Sequence, residues 1–349
     1  MIDLRSDTQT RPTPEMRAAI AAAEVGDEQK REDPTVTELE RRGAELLGQE
    51  EAVFVPTATM ANEIALRTLG EPGDEVVAEE NSHILLAELG GPAVHGGLMT
   101  RPLRCEAGRF SAEQLRAAVR RTDDTHVPPT KIVSVENTHN ASGGRVWPLE
   151  EIQGVAAAAR ELDLRLHLDG ARIMNAAVAS GVAAAEIGRH FDTVTLCLSK
   201  GLGCPLGALV AGSRELMVTG RRGKHLFGGA MRQAGIVAAA GVYALEHNVE
   251  RLADDHQRAR RLAEGLHRAG LPVDLEQVET NFVQVDVAPL GLSPAEALER
   301  LAQQGVGLSM TPHPTRLRAV THLDVDDEDI ERAIELIPRA LGAGALARA

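Results

Sequence analysis

Lys200 follows the apolar run Thr193–Leu198 and Ser199, then opens into Gly201-Leu202-Gly203. A primary amine at the carboxyl edge of a strand, beside glycines that permit close approach, can reach a bound carbonyl and form a Schiff base with it. The chain makes this lysine conspicuous, because it carries 33 arginines and four lysines, Lys30, Lys131, Lys200 and Lys224. A guanidinium is never usefully deprotonated and cannot serve as a nucleophile. Lys131 and Lys224 read as solvated surface charges, and on position alone an ordinary charged strand end explains Lys200 equally well. The glycines of Gly201 to Gly207 space as GxGxxxG, hold Pro205 and lead into a strand, so they do not form a dinucleotide fingerprint.

Leu166-His167-Leu168-Asp169-Gly170-Ala171-Arg172 ends a second strand with an acid on the same expected edge. A carboxylate there can pair with a protonated pyridine nitrogen, and Arg172 can bind a carboxylate through two N–H groups. The plainer reading is that Asp169 and Arg172 pair with each other. A third piece is Phe54-Val55-Pro56-Thr57-Ala58-Thr59-Met60-Ala61-Asn62, where a strand meets a hydroxyl-rich helix start. Free N–H groups at such a start cradle a phosphate, although a simple Thr N-cap is common. His83 and His126 complete the candidates, and no spacing or HExxH pattern suggests a metal site. Amine, carboxylate and phosphate cradle together call for a ligand with an aldehyde, a ring nitrogen and a phosphate, which describes pyridoxal 5'-phosphate (PLP).

The elements that must hold these residues are readable. Candidate strands at 52–55, 75–78, 99–103, 131–135, 164–168, 193–198 and 208–211 alternate with helical patterns. That order predicts an α/β fold with a mainly parallel seven-stranded sheet covered by helices on both faces. The last two strands are nine residues apart, too few for a crossover helix, so one strand runs antiparallel. Thr35-Val36-Thr37-Glu38 and Ser111-Ala112-Glu113-Gln114 read as capping boxes, and Gly48 as a helix stop. Helices are expected from Ser293 and over 327–341. The expected division is a large domain over 1–245 and a small C-terminal α/β domain over 246–349, with the first few residues able to pack on the latter.

A net charge of −14 excludes a nucleic-acid backbone or an anionic membrane surface as the main partner. Five Phe, one Tyr and one Trp leave the core to aliphatic residues. Three cysteines without a CxxC pair, and no apolar stretch behind a basic start, predict a cytoplasmic protein with reduced thiols.

Motifs spread along the chain carry a family resemblance: Leu4-Arg5-Ser6-Asp7-Thr8, Asp33-Pro34-Thr35-Val36, Glu136-Asn137-Thr138-His139-Asn140, Leu168-Asp169-Gly170-Ala171-Arg172, Leu198-Ser199-Lys200-Gly201-Leu202-Gly203, Gly228-Gly229-Ala230-Met231-Arg232-Gln233 and Val320-Thr321-His322-Leu323-Asp324. In this order they resemble the threonine aldolase family. The resemblance implies the aspartate-aminotransferase-like PLP fold, a homotetramer with active sites shared between two subunits, and retro-aldol cleavage of a β-hydroxy amino acid to glycine and an aldehyde. It implies that Lys200 carries PLP, Asp169 meets the ring nitrogen, Ala58 and Thr59 hold the phosphate and His83 stacks on the ring. It further implies that Ser6, Arg172 and Arg318 clamp the substrate carboxylate, that Arg232 reaches the phosphate, from its own or a neighbouring chain, and that His126 lies near the substrate hydroxyl, with His83 or His126 handling its proton. A PLP lyase or transaminase on another small amino acid, or a weakened PLP-binding relative, shares these residues. Two departures stand out: Lys30 and Arg31 replace an aromatic residue and a glycine, and Ala58 replaces a glycine.

Overall fold

The computed structural model describes residues 1–120 and 125–342. Twelve strands occur among the described residues: β1 (Ile2–Asp3), β2 (Glu51–Val55), β3 (Glu75–Glu79), β4 (Met99–Leu103), β5 (Thr130–Glu136), β6 (Arg165–Gly170), β7 (Thr193–Cys197), β8 (Ala208–Gly212), β9 (Phe282–Asp286), β10 (Val306–Gly307), β11 (Ser309–Met310) and β12 (Arg316–Val320). Seven form one sheet in the order β2-β8-β7-β6-β5-β3-β4. The strands β4, β3, β5, β6 and β7 pair in parallel, whereas β8 is antiparallel to both β7 and β2. The expected reversed strand is therefore β8, and β2 points the same way as the remaining five. Strands buried on both faces account for the unbroken apolar runs in the sequence.

Six strands thus deliver their carboxyl ends to one edge. Val55 leads to the Thr57 turn, Glu79 to His83, Glu136 to the 137–140 segment, Gly170 to Arg172 and Cys197 to Lys200. Register fixes their neighbours: Asp169 stands opposite Glu136 on one side and Thr195 on the other. Gly203 in the lysine loop takes a φ of 79°, which favours a residue without a Cβ.

A second buried cluster lies around the three-stranded sheet β11-β12-β9 and the helices Leu252–Arg268, Pro294–Gln303 and Asp327–Leu341. Ile2 and Leu4 belong to it, because β1 pairs in parallel with β10. The cap at Ser111 and the Ser293 start are both capping boxes, and Gly48 closes its helix with a φ of 66°. The Thr35 box does not form. Pro34 suits the first helical position, so Asp33 is the cap and accepts from Val36 N at 2.9 Å, while the Thr35 hydroxyl donates to Glu24 O. Lys224 corrects another expectation: it is buried and ion-paired with Glu28, near the Phe54 ring. No helix among the described residues is long and apolar enough to cross a membrane.

Candidate active site

Asp169, at the end of β6, is fully buried. Its Oδ2 accepts from Asn62 Nδ2 at 2.9 Å and its Oδ1 from Ala171 N at 3.1 Å. Burial alone would raise its pKa, but His83, Lys200 and His167 outweigh that and hold the carboxyl below the ordinary value. Asn62 Oδ1 faces His167 Nε2 at 3.2 Å, and burial pushes that imidazole down to about 4, so it is neutral. A permanently ionised, buried acid beside a lysine is what a pyridinium nitrogen needs. Asp169 and Arg172 do not pair with each other.

His83 starts the short helix after β3. Its Nδ1 lies 2.8 Å from Glu88 Oε1, which also accepts from Asn62 Nδ2 at 2.9 Å. Its backbone N–H donates to Glu136 Oε2 at 2.6 Å. Polar atoms of His83, Glu88 and Asp169 converge within 4.8 Å of one another, with the Asn62 amide joining the two acids. The Glu88 contact raises the imidazole above its usual pKa, and Asp169 adds to this against Lys200.

At the phosphate turn, Thr57 caps the helix Ala58–Leu69, its Oγ1 accepting from Met60 N at 3.1 Å and its carbonyl from Ala61 N at 3.1 Å. The N–H groups of Ala58 and Thr59 have no acceptor among the described residues. These two positions therefore present a cradle, and Ala58 needs no left-handed φ to do so. The segment around Gly229 packs on this turn, where an added Cβ would fall 2.3 Å from Met60 Sδ. Arg232 follows but turns to Asp27 of its own chain at 3.2 Å. The loop of Lys30 and Arg31 packs beside it: Glu28 N donates to Arg232 O at 2.9 Å, and Arg31 reaches Glu51 at 3.2 Å. Arg31 itself has a φ of 61°, a left-handed conformation that favours glycine.

Arg172 is 5% exposed and bonds Asp7 through Nε and Nη2, both at 2.7 Å. Arg318 lies beside it; both guanidinium groups sit over the Phe282 ring, at 4.8 and 5.5 Å. Arg318 donates to Ser309 Oγ at 3.0 Å and Asn140 Oδ1 at 2.6 Å and has no carboxylate partner among the described residues. Burial and Arg172 push it down to about 10, so it stays a cation at neutral pH. Ser6 caps the turn that carries Asp7, and the Thr10 hydroxyl donates to Lys200 O at 2.8 Å. Lys200 lies near enough for its charge to act on Asp7, Asp169 and His83. His126 is the exception. It occupies an exposed turn before β5, at the opposite edge of the sheet, so one chain does not bring its own His126 to this cluster. Glu63 and Glu88 went unnoticed in the sequence; the one available signal was a glutamate inside the apolar run from Ala61 to Leu66.

A mainly parallel sheet that brings a lysine, a buried acid and a helix start with two open N–H groups to one edge defines a PLP enzyme of the aspartate-aminotransferase architecture. The beta-eliminating lyase family matches residues 3–289. The low specificity L-threonine aldolase of Escherichia coli K12 is 43% identical over 332 residues, 95% of this chain and 96% of that one. A probable low-specificity L-threonine aldolase 2 of Arabidopsis thaliana is also 43% identical, over 95% of this chain and 94% of its own. The solved threonine aldolase of Leishmania major superposes with a TM-score of 0.82 at 21% identity, covering 97% of this chain and 99% of that one. The chain belongs to the beta-eliminating lyase family and, within it, to the threonine aldolases. It is a PLP-dependent lyase.

Proposed function

We propose that this enzyme cleaves L-threonine, L-allo-threonine and related L-β-hydroxy-α-amino acids to glycine and an aldehyde. The observation that carries the reading is Arg318, a half-buried cation without a carboxylate partner among the described residues, held beside Arg172 on the Phe282 ring near Lys200. Such a group calls for a small anionic substrate whose amine lies within reach of the lysine.

The residues present fit PLP: Lys200 for its aldehyde, Asp169 for its ring nitrogen, and the N–H groups of Ala58 and Thr59 for its phosphate. Bound there, PLP supplies an electron sink for a bond broken at Cα. Lys200 supplies the amine that the substrate amine replaces. Arg318 and Ser6 hold the substrate carboxylate, joined by the remaining N–H groups of Arg172, and this fixes which Cα bond can break. His83 Nε2 has no protein partner among the described residues, whereas Nδ1 is held by Glu88, so Nε2 takes the β-hydroxyl proton. Within one chain His126 lies at the opposite edge of the sheet and Arg232 turns to Asp27, so a neighbouring subunit is the source we propose for both.

That assignment suits a homotetramer with shared sites. Leu86, Leu89 and Val94 follow His83 on an exposed apolar surface, and Leu89 is 100% exposed. Three free cysteines suit the cytoplasm. The two buried clusters support a large unit over 1–245 and a small one over 246–349, with Ile2 and Leu4 packing on the latter.

The test is aldehyde and glycine formation from L-threonine and L-allo-threonine with added PLP, with Lys200→Ala as the blank. Lysine-dependent release of both products is expected. Ammonia and a keto acid in their place would refute the bond choice, and equal turnover by Lys200→Ala would refute the role of the lysine.

A further inference from the structure

Glu63 has no task in the chemistry above, yet it stands where a carboxylate is costly. It lies within the helix Ala58–Leu69 and is 2% exposed. Neither of its oxygens meets a donor among the described residues, and the same holds for Glu88 Oε2. Gly91 closes against it so tightly that a Cβ there would fall 1.9 Å from Glu63 Oε1. What Glu63 does meet is the carboxyl of Glu88. Two buried acids facing one another cannot both ionise, and a single proton between them satisfies both. Burial and Glu88 together push Glu63 up to about 9. The other oxygen of Glu88 holds His83 Nδ1 at 2.8 Å and Asn62 Nδ2 at 2.9 Å.

We propose that Glu63 is a positioning residue for His83, holding a proton against Glu88 so that a single shared negative charge, rather than a bare carboxylate, faces the imidazole. This deepens the reading of His83 as the base and rests on it. In that step the substrate O–H bond breaks, its proton goes to His83 Nε2, the aldehyde C=O forms, and the Cα–Cβ electron pair passes to Cα. The proton between Glu63 and Glu88 stays in place, so the imidazolium forms beside a constant charge. The other groups facing His83 are Asp169, Lys200 and Glu136, which accepts its backbone N–H. None of these changes when Glu63 is replaced.

The experiment compares wild type, Glu63→Leu and Glu63→Gln. Leucine leaves Glu88 a full carboxylate beside His83, so the imidazole should keep its proton to higher pH. Glutamine still donates to Glu88 and cannot ionise. The primary readout is the rate at which diethyl pyrocarbonate modifies His83 in the apo-protein against pH, followed by peptide mass spectrometry, since only neutral imidazole reacts. The midpoint in Glu63→Leu should rise by about one unit, a roughly tenfold slower modification on the acidic side, and in Glu63→Gln it should stay with wild type. The acidic limb of kcat/KM in the PLP-loaded enzyme should move alike. An unmoved midpoint in folded Glu63→Leu overturns the proposal. A lowered midpoint in Glu63→Gln also overturns it, because it would show Glu63 ionised in wild type; this arm stands even if the leucine variant fails to fold. A shifted midpoint without any aldehyde release supports the role of Glu63 and instead overturns the proposed reaction.

Discussion

Replacing Asp7 by Asn removes the negative half of a buried ion pair and leaves the Arg172 guanidinium without its partner. Burial alone would raise the Asp7 pKa, but Arg172, with Lys200 and Arg318, holds it far below the usual carboxylate range. A group depressed in this way contributes stability above its unfolded pKa, near 4, and loses it as pH falls toward the folded value. The cost of Asp7→Asn should therefore be flat from about pH 6 to about pH 8. Breaking one side of a buried pair costs about 3–5 kcal/mol. At about 2.1 cal/mol/K per residue, the melting entropy of this chain is roughly 0.7 kcal/mol/K, which gives a fall of about 4–7 °C. Calorimetric melting of wild type and variant at both pH values measures it. An unmoved Tm, or a loss that shrinks between the two pH values, would refute the reasoning. The double variant Asp7→Leu, Arg172→Met should recover much of the loss, because apolar replacement of both partners removes the stranded charge.

Arg318→Leu should raise KM for L-threonine by about 10- to 100-fold, from about 1.5–3 kcal/mol for a charge-assisted contact, while PLP binding titrates as in wild type; an unchanged KM would remove Arg318 from the clamp. Arg31→Gly should raise Tm slightly, since a left-handed non-glycine residue costs about 1–2 kcal/mol and the exposed pair with Glu51 returns only about 0–1 kcal/mol; a lower Tm would show that the ion pair dominates. Glu88→Gln removes the charge that raises His83, so with neutral His83 as the proposed base the acidic limb of kcat/KM should move to lower pH. A limb that stays in place would mean another group sets it.

Local signals in the sequence carried the sheet. Each strand is an apolar run bounded by turn residues, and the short step from Cys197 to Ala208 left only a reversed β8. Lys200, Asp169 and the Thr57 turn were legible because strand ends and a helix start place them on one edge regardless of detail. Pairings made at long range were not legible. Nothing near Arg172 in sequence announces Asp7, 165 residues away, and Lys224 gives no local sign of its burial against Glu28. The Thr35 box failed for a local reason, since Asp33 and Pro34 make a better start two residues earlier. His126 shows the limit of reading one chain alone: its neighbours in sequence set it before β5, at the edge of the sheet opposite Lys200.

The path of residues 2–10 ties the site to the timing of synthesis. Leu4 O accepts from Val320 N at 2.8 Å and Asp3 O faces His322 Nε2 at 2.8 Å, yet a few residues later Asp7 braces Arg172 and the Thr10 hydroxyl bonds the lysine loop. A ribosome makes these residues more than 300 positions before Val320 and His322. The opening segment must therefore wait, unpaired, while the large sheet is translated, and such long-range closure slows folding. Residues 3 and 4 thus meet these partners only in chains translated through residue 322.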